Sequence, residues 1–214
     1  MKETFFITGI GTDVGKTIVS AIITEALEAD YWKPIQAGEL DNSDSHIVKR
    51  LVSNTKTKFH KSAFNLNTSM SPHAAAAIDG LTVETKKIKR PSTKNNLVIE
   101  GAGGLLVPIN ENETILDLIK STDKVVVVSR HYLGSINHTL LTIEMLKKRK
   151  LQIVGVIFNG DENKTTENII RKMAAVPILG RIENEPYFDK NVVLEYADIL
   201  KINFRHPELD SRSH

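Results

Sequence analysis

Six apolar stretches recur along the chain: "FFIT" from Phe5, "YWKPI" from Tyr31, "NLVIEG" from Asn96, "KVVVVS" from Lys124, "IVGVIF" from Ile153 and "PILGRI" from Pro177. Each is short, rich in β-branched or aromatic residues and nearly continuous in hydrophobicity, the pattern of a strand buried on both faces. Between them apolar residues recur at helical spacing. After the first stretch Ile18, Ile22 and Ala26 share one face, with Val19, Ile23 and Leu27 beside them. The same spacing predicts helices over 16–29, 44–52, 71–79, 114–121, 135–148 and 165–174. Apolar strands alternating with helices predict an α/β fold whose mainly parallel central sheet is covered by helices on both faces. In such sheets ligands bind beyond the carboxyl ends of the strands. Functional residues are therefore expected directly after each apolar stretch.

The first strand end carries "GIGTDVGKT", Gly9 to Thr17. It differs from the phosphate-binding pattern G-x-x-x-x-G-K-[ST] by one residue, because Ile10 stands where the first glycine is expected. Strand before and helix after nevertheless place Lys16 and Thr17 in a first helical turn, where backbone amides lack intrahelical acceptors and face any anion above them. Gly9, Gly11 and Gly15 allow close backbone approach. Lys16 supplies charge for β and γ phosphates, and the Thr17 hydroxyl is placed for Mg²⁺. An ordinary turn ending in Lys-Thr is the alternative, and the flanking elements argue against it.

Other strand ends are less decisive singly. Lys33 stands before Pro34, which ends regular pairing; alone it reads as a surface lysine beside Trp32. Asp44 opens a helix, where an acidic residue commonly serves the dipole or the cap. Glu100 follows a wholly apolar strand and precedes Gly101, Ala102, Gly103 and Gly104. A carboxylate there is costly unless paired or metal-bound, with helix capping as the alternative. Gly134 precedes a helix with Ser135 as its expected N-cap, so residues 134–137 offer free amides to an anion. Asn159-Gly160 reads as a turn, or as a side-chain amide reading a base edge.

Composition narrows the classes. The 214 residues, 41% of them hydrophobic, suit one domain, with 205–214 expected to be a frayed tail. Net charge is +2, and the basic runs "KKIKR" and "KKRKL" read as solvated helix ends or loops, so no nucleic-acid partner is expected. Cysteine is absent, which excludes disulfides, thiolate metal sites and a cysteine nucleophile. No apolar run approaches a membrane span, and the first strand begins too early for a signal peptide. A soluble cytoplasmic protein without a membrane partner is the expectation.

Together "GIGTDVGKT", "WKPIQAG", "NSD", "MSPHAAA", "IEGAGGLLVP", "LGSINH", "IFNG" and "VPILG", in this order, closely resemble the dethiobiotin synthetase family from Thr8 to about Gly180. That family's phosphate loop also carries the extra residue. Two departures stand out: Ala37 where members carry Ser or Thr, removing a substrate hydroxyl contact, and Ile10-Gly11 where members often have Thr-Asp. The resemblance implies a single-domain, three-layer P-loop NTPase fold. It implies ATP-dependent joining of CO₂ to 7,8-diaminononanoate, with Mg²⁺ as cofactor, and ring closure to dethiobiotin for biotin synthesis. Lys16 and Lys33 are then catalytic, and Thr17, Asp44 and Glu100 hold Mg²⁺. ATP is held by Gly11, Thr12, Asp13, Val14, Gly15, Lys16 and Thr17, by Asp44 and Glu100–Gly103, by Asn159, and by Pro177, Leu179 and Gly180. Substrate is held by Thr12, Lys33, Ala37, Gly134, Ser135, Ile136 and Asn137. The resemblance also implies a homodimer in which residues 134–137 serve the partner's phosphate loop. Corrinoid amidase-synthetases, the nearest rival, need a cysteine nucleophile. Partitioning ATPases carry a second lysine near the loop's start, and small-molecule kinases need an arginine-rich lid; none of these features is present in the sequence.

Overall fold

The computed structural model of the chain describes residues 2–205, with side chains described through residue 201. Its strands are β1 (Thr4–Gly9), β2 (Asp30–Trp32), β3 (Ile35–Ala37), β4 (Phe59–His60), β5 (Phe64–Leu66), β6 (Leu97–Gly104), β7 (Lys124–Arg130), β8 (Gln152–Asn159) and β9 (Ile178–Ile182). Its α-helices are α1 (Lys16–Leu27), α2 (Asp44–Leu51), α3 (Pro72–Ile78), α4 (Ser135–Lys148), α5 (Lys164–Ala174) and α6 (Lys190–Arg205). Seven strands form one sheet in the order β4-β2-β6-β1-β7-β8-β9, every pair parallel, and β3 with β5 forms a second, two-stranded parallel sheet.

The central strands are buried as their continuous hydrophobicity requires: Phe6, Ile7, Val98, Val125–Val128 and Val156–Phe158 are fully enclosed. Helix α1 packs against α6 and α2, while α4 and α5 pack together beside β7 and β8. Because β1 lies between β6 and β7, the loop after β1, the end of β6 and the end of β7 all open onto one crevice.

The six apolar stretches are all strands, with three differences. "YWKPI" is split: Pro34 cannot donate to a ladder, so β2 ends at Trp32 and β3 joins the small sheet. Strand β6 continues through its glycines to Gly104, with an irregular register opposite β1 between Ile7 and Gly9. The segment 114–121 is only a 3₁₀ turn, Ile115–Leu118. Strands β4 and β5 and helix α6 are additions. The expected frayed tail lies outside the described residues, apart from Arg205, which closes α6.

The basic run "KKIKR" is not wholly solvated. Arg90 donates from both terminal nitrogens to Asp123, at 2.6 Å each, and to the Leu118 carbonyl at 2.7 Å. Asp123 is fully buried, so the fork ties the segment before β6 to the turn that starts β7.

Candidate active site

The loop 9–17 leaves β1 with the Ile10 amide bonded to the Val128 carbonyl at 3.1 Å. Asp13 (φ 55°) and Gly15 (φ 95°) are left-handed, and a β-carbon at Gly15 would run into the Asn159 side-chain amide. Gly15 caps α1 without any side-chain bond, so the first amides of the helix face the crevice. Lys16 folds across the loop and donates to the Gly11 carbonyl at 2.8 Å. Burial pushes its pKa from 10.5 down to about 8, although the Glu100 charge pulls the other way.

One step along α1, the Thr17 hydroxyl lies 2.7 Å from Asp44 Oδ1 and 2.9 Å from Glu100 Oε1. Lys33 Nζ, buried, pairs with Asp44 and sits 2.9 Å from Glu100 Oε1. Burial acts to lower the Lys33 pKa, but the Glu100 and Asp44 charges outweigh it and hold the ammonium above its usual range. Burial likewise acts to raise the Asp44 pKa, and the Lys33 charge overrides it downward. Neither carboxylate caps a helix, although Asp44, in the first turn of α2, does complement its dipole. The cap of α2 is Ser43, whose hydroxyl accepts from the His46 amide at 3.4 Å while the His46 ring reaches back to the Ser43 amide; Asp44 is left for the crevice. Glu100 caps no helix, and its two oxygens receive Thr17, Lys33 and Tyr31.

A hydroxyl and two carboxylates converging within hydrogen-bond distance are hard oxygen donors that suit Mg²⁺. That ion is commonly held by one or two carboxylates together with phosphate oxygens. The donor set therefore fits the expected metal.

These groups line an open cavity of about 950 Å³ that also takes in Thr12, Asp13, Gly15, Ala37, Ala102, Gly103 and Asn159. Residues 3–192 match a protein family described as an AAA domain. An ATP-dependent dethiobiotin synthetase of Christiangramia forsetii is 64% identical over 198 residues, covering 92% of this chain and 96% of the relative. That of Cytophaga hutchinsonii is 47% identical, again over 92% of this chain and 96% of the relative. The chain belongs to the dethiobiotin synthetase family. Membership makes it an enzyme of the ligase class. Among solved structures, the septum site-determining protein MinD complexed with Mg-ADP from Pyrococcus horikoshii aligns with a TM-score of 0.62, covering 99% of this chain and 98% of that one at 14% identity. A ParA family ATPase from Chlorobium tepidum gives 0.60 at 12% identity, covering 97% and 99%. At that identity these two share the fold with this dethiobiotin synthetase family member and nothing further is carried over.

Several residues expected to touch ligand lie outside the cavity. Val14 is buried, with its carbonyl accepting from Asn159 Nδ2 at 3.0 Å. A β-carbon on Gly101 would press on Phe6 and Ile115, so its smallness serves packing. Gly11 contributes its carbonyl to Lys16 rather than a wall of the cavity. Pro177, Leu179 and Gly180 are away from the opening as well: Leu179 is in the core and the Pro177 carbonyl accepts from the Val156 amide. The wall expected of them is formed a few residues later by Glu183, Asn184, Glu185 and Phe188. Arg181 holds that segment, binding Glu167 through two bonds of 2.6 and 2.7 Å and Glu183 at 3.1 Å. The Tyr196 hydroxyl accepts from the Glu183 amide and donates to Glu185 at 2.6 Å.

Residues 134–137 also lie outside this subunit's own cavity. The N-cap of α4 is Gly134 (φ 102°), not Ser135, which is buried as the first helical residue. Arg130, Gln36 and Ser69–Pro72 line the cavity without having been singled out. For Met70–Pro72 the signal is present, since "MSPHAAA", which begins at Met70, is one of the stretches carrying the family resemblance; Ser69 stands just before it.

Proposed function

We propose that this chain converts 7,8-diaminononanoate, CO₂ and ATP to dethiobiotin, ADP and phosphate, a step of biotin synthesis. The observation that supports it most directly is the convergence of two buried lysines, Lys16 and Lys33, with Thr17, Asp44 and Glu100, drawn from beyond β1, β2 and β3 and from within β6. One amine of the diamine adds to CO₂ and loses a proton, giving a carbamate. The carbamate oxygen attacks the γ-phosphorus and ADP leaves. The second amine then attacks the carbonyl carbon of the mixed anhydride, loses a proton and expels phosphate, closing the cyclic urea.

A carbamate is already an anionic nucleophile, so the site needs positioning and charge neutralisation rather than a strong base. Lys33 stands where it can leave its carboxylate partners for the carbamate and the phosphoryl oxygens. Lys16 turns from the Gly11 carbonyl to the β and γ phosphates. Thr17, Asp44 and Glu100 would hold Mg²⁺, which would offset phosphate charge. Asn159 and the wall 183–188 flank the nucleoside end. The protein is proposed as a cytoplasmic homodimer in which residues 134–137 receive the partner's substrate carboxylate. In support, Tyr132 and Leu133, just before that helix start, are exposed apolar side chains.

The test is phosphate release in the presence of ATP and Mg²⁺ with diamine, bicarbonate, both or neither. Release only with both, and bicarbonate-derived oxygen in the phosphate, is expected. Release independent of the diamine overturns the reading, and unlabelled phosphate overturns the anhydride route.

A further inference from the structure

Tyr31 is fully buried and its hydroxyl donates to Glu100 Oε2 at 2.8 Å. The other oxygen of the same carboxylate, Oε1, receives Thr17 and Lys33, both at 2.9 Å. The partition has a simple origin. Residues 31 and 33 stand two apart at the end of β2, on the same side of the strand, next to the β6 strand that carries Glu100. Trp32 points the other way and donates its indole N–H to the Lys61 carbonyl at 3.0 Å. Alternate side chains of one strand end thus hold the two oxygens of a single carboxylate.

We propose that Tyr31 is a positioning residue for Glu100: it pins Oε2 away from the cavity so that Oε1 alone faces Thr17, on the side where Mg²⁺ would bind. Glu100 is 1% exposed, so no solvent replaces the phenol when it is lost. Oε2 then lacks its donor, and the carboxylate turns about its last side-chain bond towards Lys33, taking Oε1 out of line. The phenol itself stays protonated and remains a donor, because burial and the neighbouring Glu100 charge lift its pKa well above the usual value.

This inference rests on the magnesium-nucleotide reading above, and its test separates the two. A non-hydrolysable ATP analogue is titrated calorimetrically into wild type and Tyr31→Phe, with and without Mg²⁺. Wild type should bind more tightly with Mg²⁺. Tyr31→Phe should bind the metal-free analogue within about twofold of wild type but lose about tenfold of the Mg²⁺-dependent gain, the scale of one buried hydrogen bond to a charged group. A purely structural role would follow the ring, which lies 6.1 Å from the Phe59 ring, centroid to centroid. Phe59→Leu should therefore lower the unfolding temperature without changing the Mg²⁺ gain. Tyr31→Phe with a wild-type gain overturns the inference alone. Loss of the gain in Phe59→Leu equal to that in Tyr31→Phe also overturns it. Wild type showing no gain overturns the magnesium reading and this inference with it.

Discussion

Asn159 donates its side-chain amide to the carbonyl of Val14 at 3.0 Å, tying the end of β8 to the middle of the phosphate loop. Asn159 stood out in the sequence as a possible reader of a base edge. One N–H of its side-chain amide goes to the protein and braces the loop from behind, while the second N–H and Oδ1 remain at the cavity wall. Asn159→Ala should weaken nucleotide binding about three- to tenfold, the worth of one such bond, with little change in unfolding temperature. Calorimetry with ADP measures this, and unchanged affinity would refute the bracing role.

Lys16 predicts opposite pH trends for binding and stability. Burial lowers its pKa from 10.5 to about 8, so the free protein loses this positive charge as pH rises through about 8. Affinity for ADP should then fall by about tenfold per pH unit while only the protonated form binds. The folding term has the other sign. Between about 8 and 10.5 the unfolded chain holds the proton more tightly than the folded one, so ligand-free stability gains from this group as pH rises. Lys16→Met should abolish both trends; ADP affinity that stays level across that window in wild type would contradict the assignment.

Arg90 and Asp123 make a stability prediction remote from the cavity. Removing one partner of a buried ion pair leaves the other uncompensated, at a cost of about 3 kcal/mol or more. Arg90→Ala should lower the unfolding free energy by that order while leaving the KM for ATP within twofold. Denaturant unfolding that matches wild type would show the pair to be energetically idle.

The proposed sharing of active sites can be tested by subunit mixing. Ser135 is buried, so the disruptive acidic residue belongs at exposed Asn137. Lys16→Ala and Asn137→Glu should each be inactive alone. If residues 134–137 serve the partner's loop, each hybrid dimer has one intact site, and random exchange restores roughly a quarter of wild-type activity. If they serve their own loop, mixing restores nothing.

The legible part of the fold is what burial dictates. Strands such as Val125–Val128 are hydrophobic throughout, Lys16, Thr17 and Asp44 sit at the starts of helices whose periodicity is plain, and Glu100 ends the apolar part of β6. Strands β4 and β5, two and three residues long, have no room to show a period. Helix α6 does carry a stripe, Val193, Ala197 and Leu200, all buried, but the polar stretch just beyond it masks the signal. In the site, Tyr31 was hidden because an aromatic in an apolar run reads as core, and only its hydroxyl's partner says otherwise. The wall 183–185 was hidden because polar loop residues carry no pattern; it is aimed by Arg181 and Tyr196 through contacts that spacing does not encode.

The walls of the cavity bear Lys16, Lys33 and Arg130 against Asp13, Glu39, Asp44, Glu100, Glu183 and Glu185. Carboxylates outnumber cations, although the chain as a whole is slightly basic with a net charge of +2. At long range such an opening repels a bare triphosphate and favours the cationic diamine end of the other substrate over its carboxylate end. Metal loading of the nucleotide then matters before arrival as well as after it, because it removes half of the charge that is turned away. Added monovalent salt screens both effects. The KM for the diamine should climb with ionic strength while that for magnesium-loaded nucleotide moves little, the reverse of a surface built to collect polyanions.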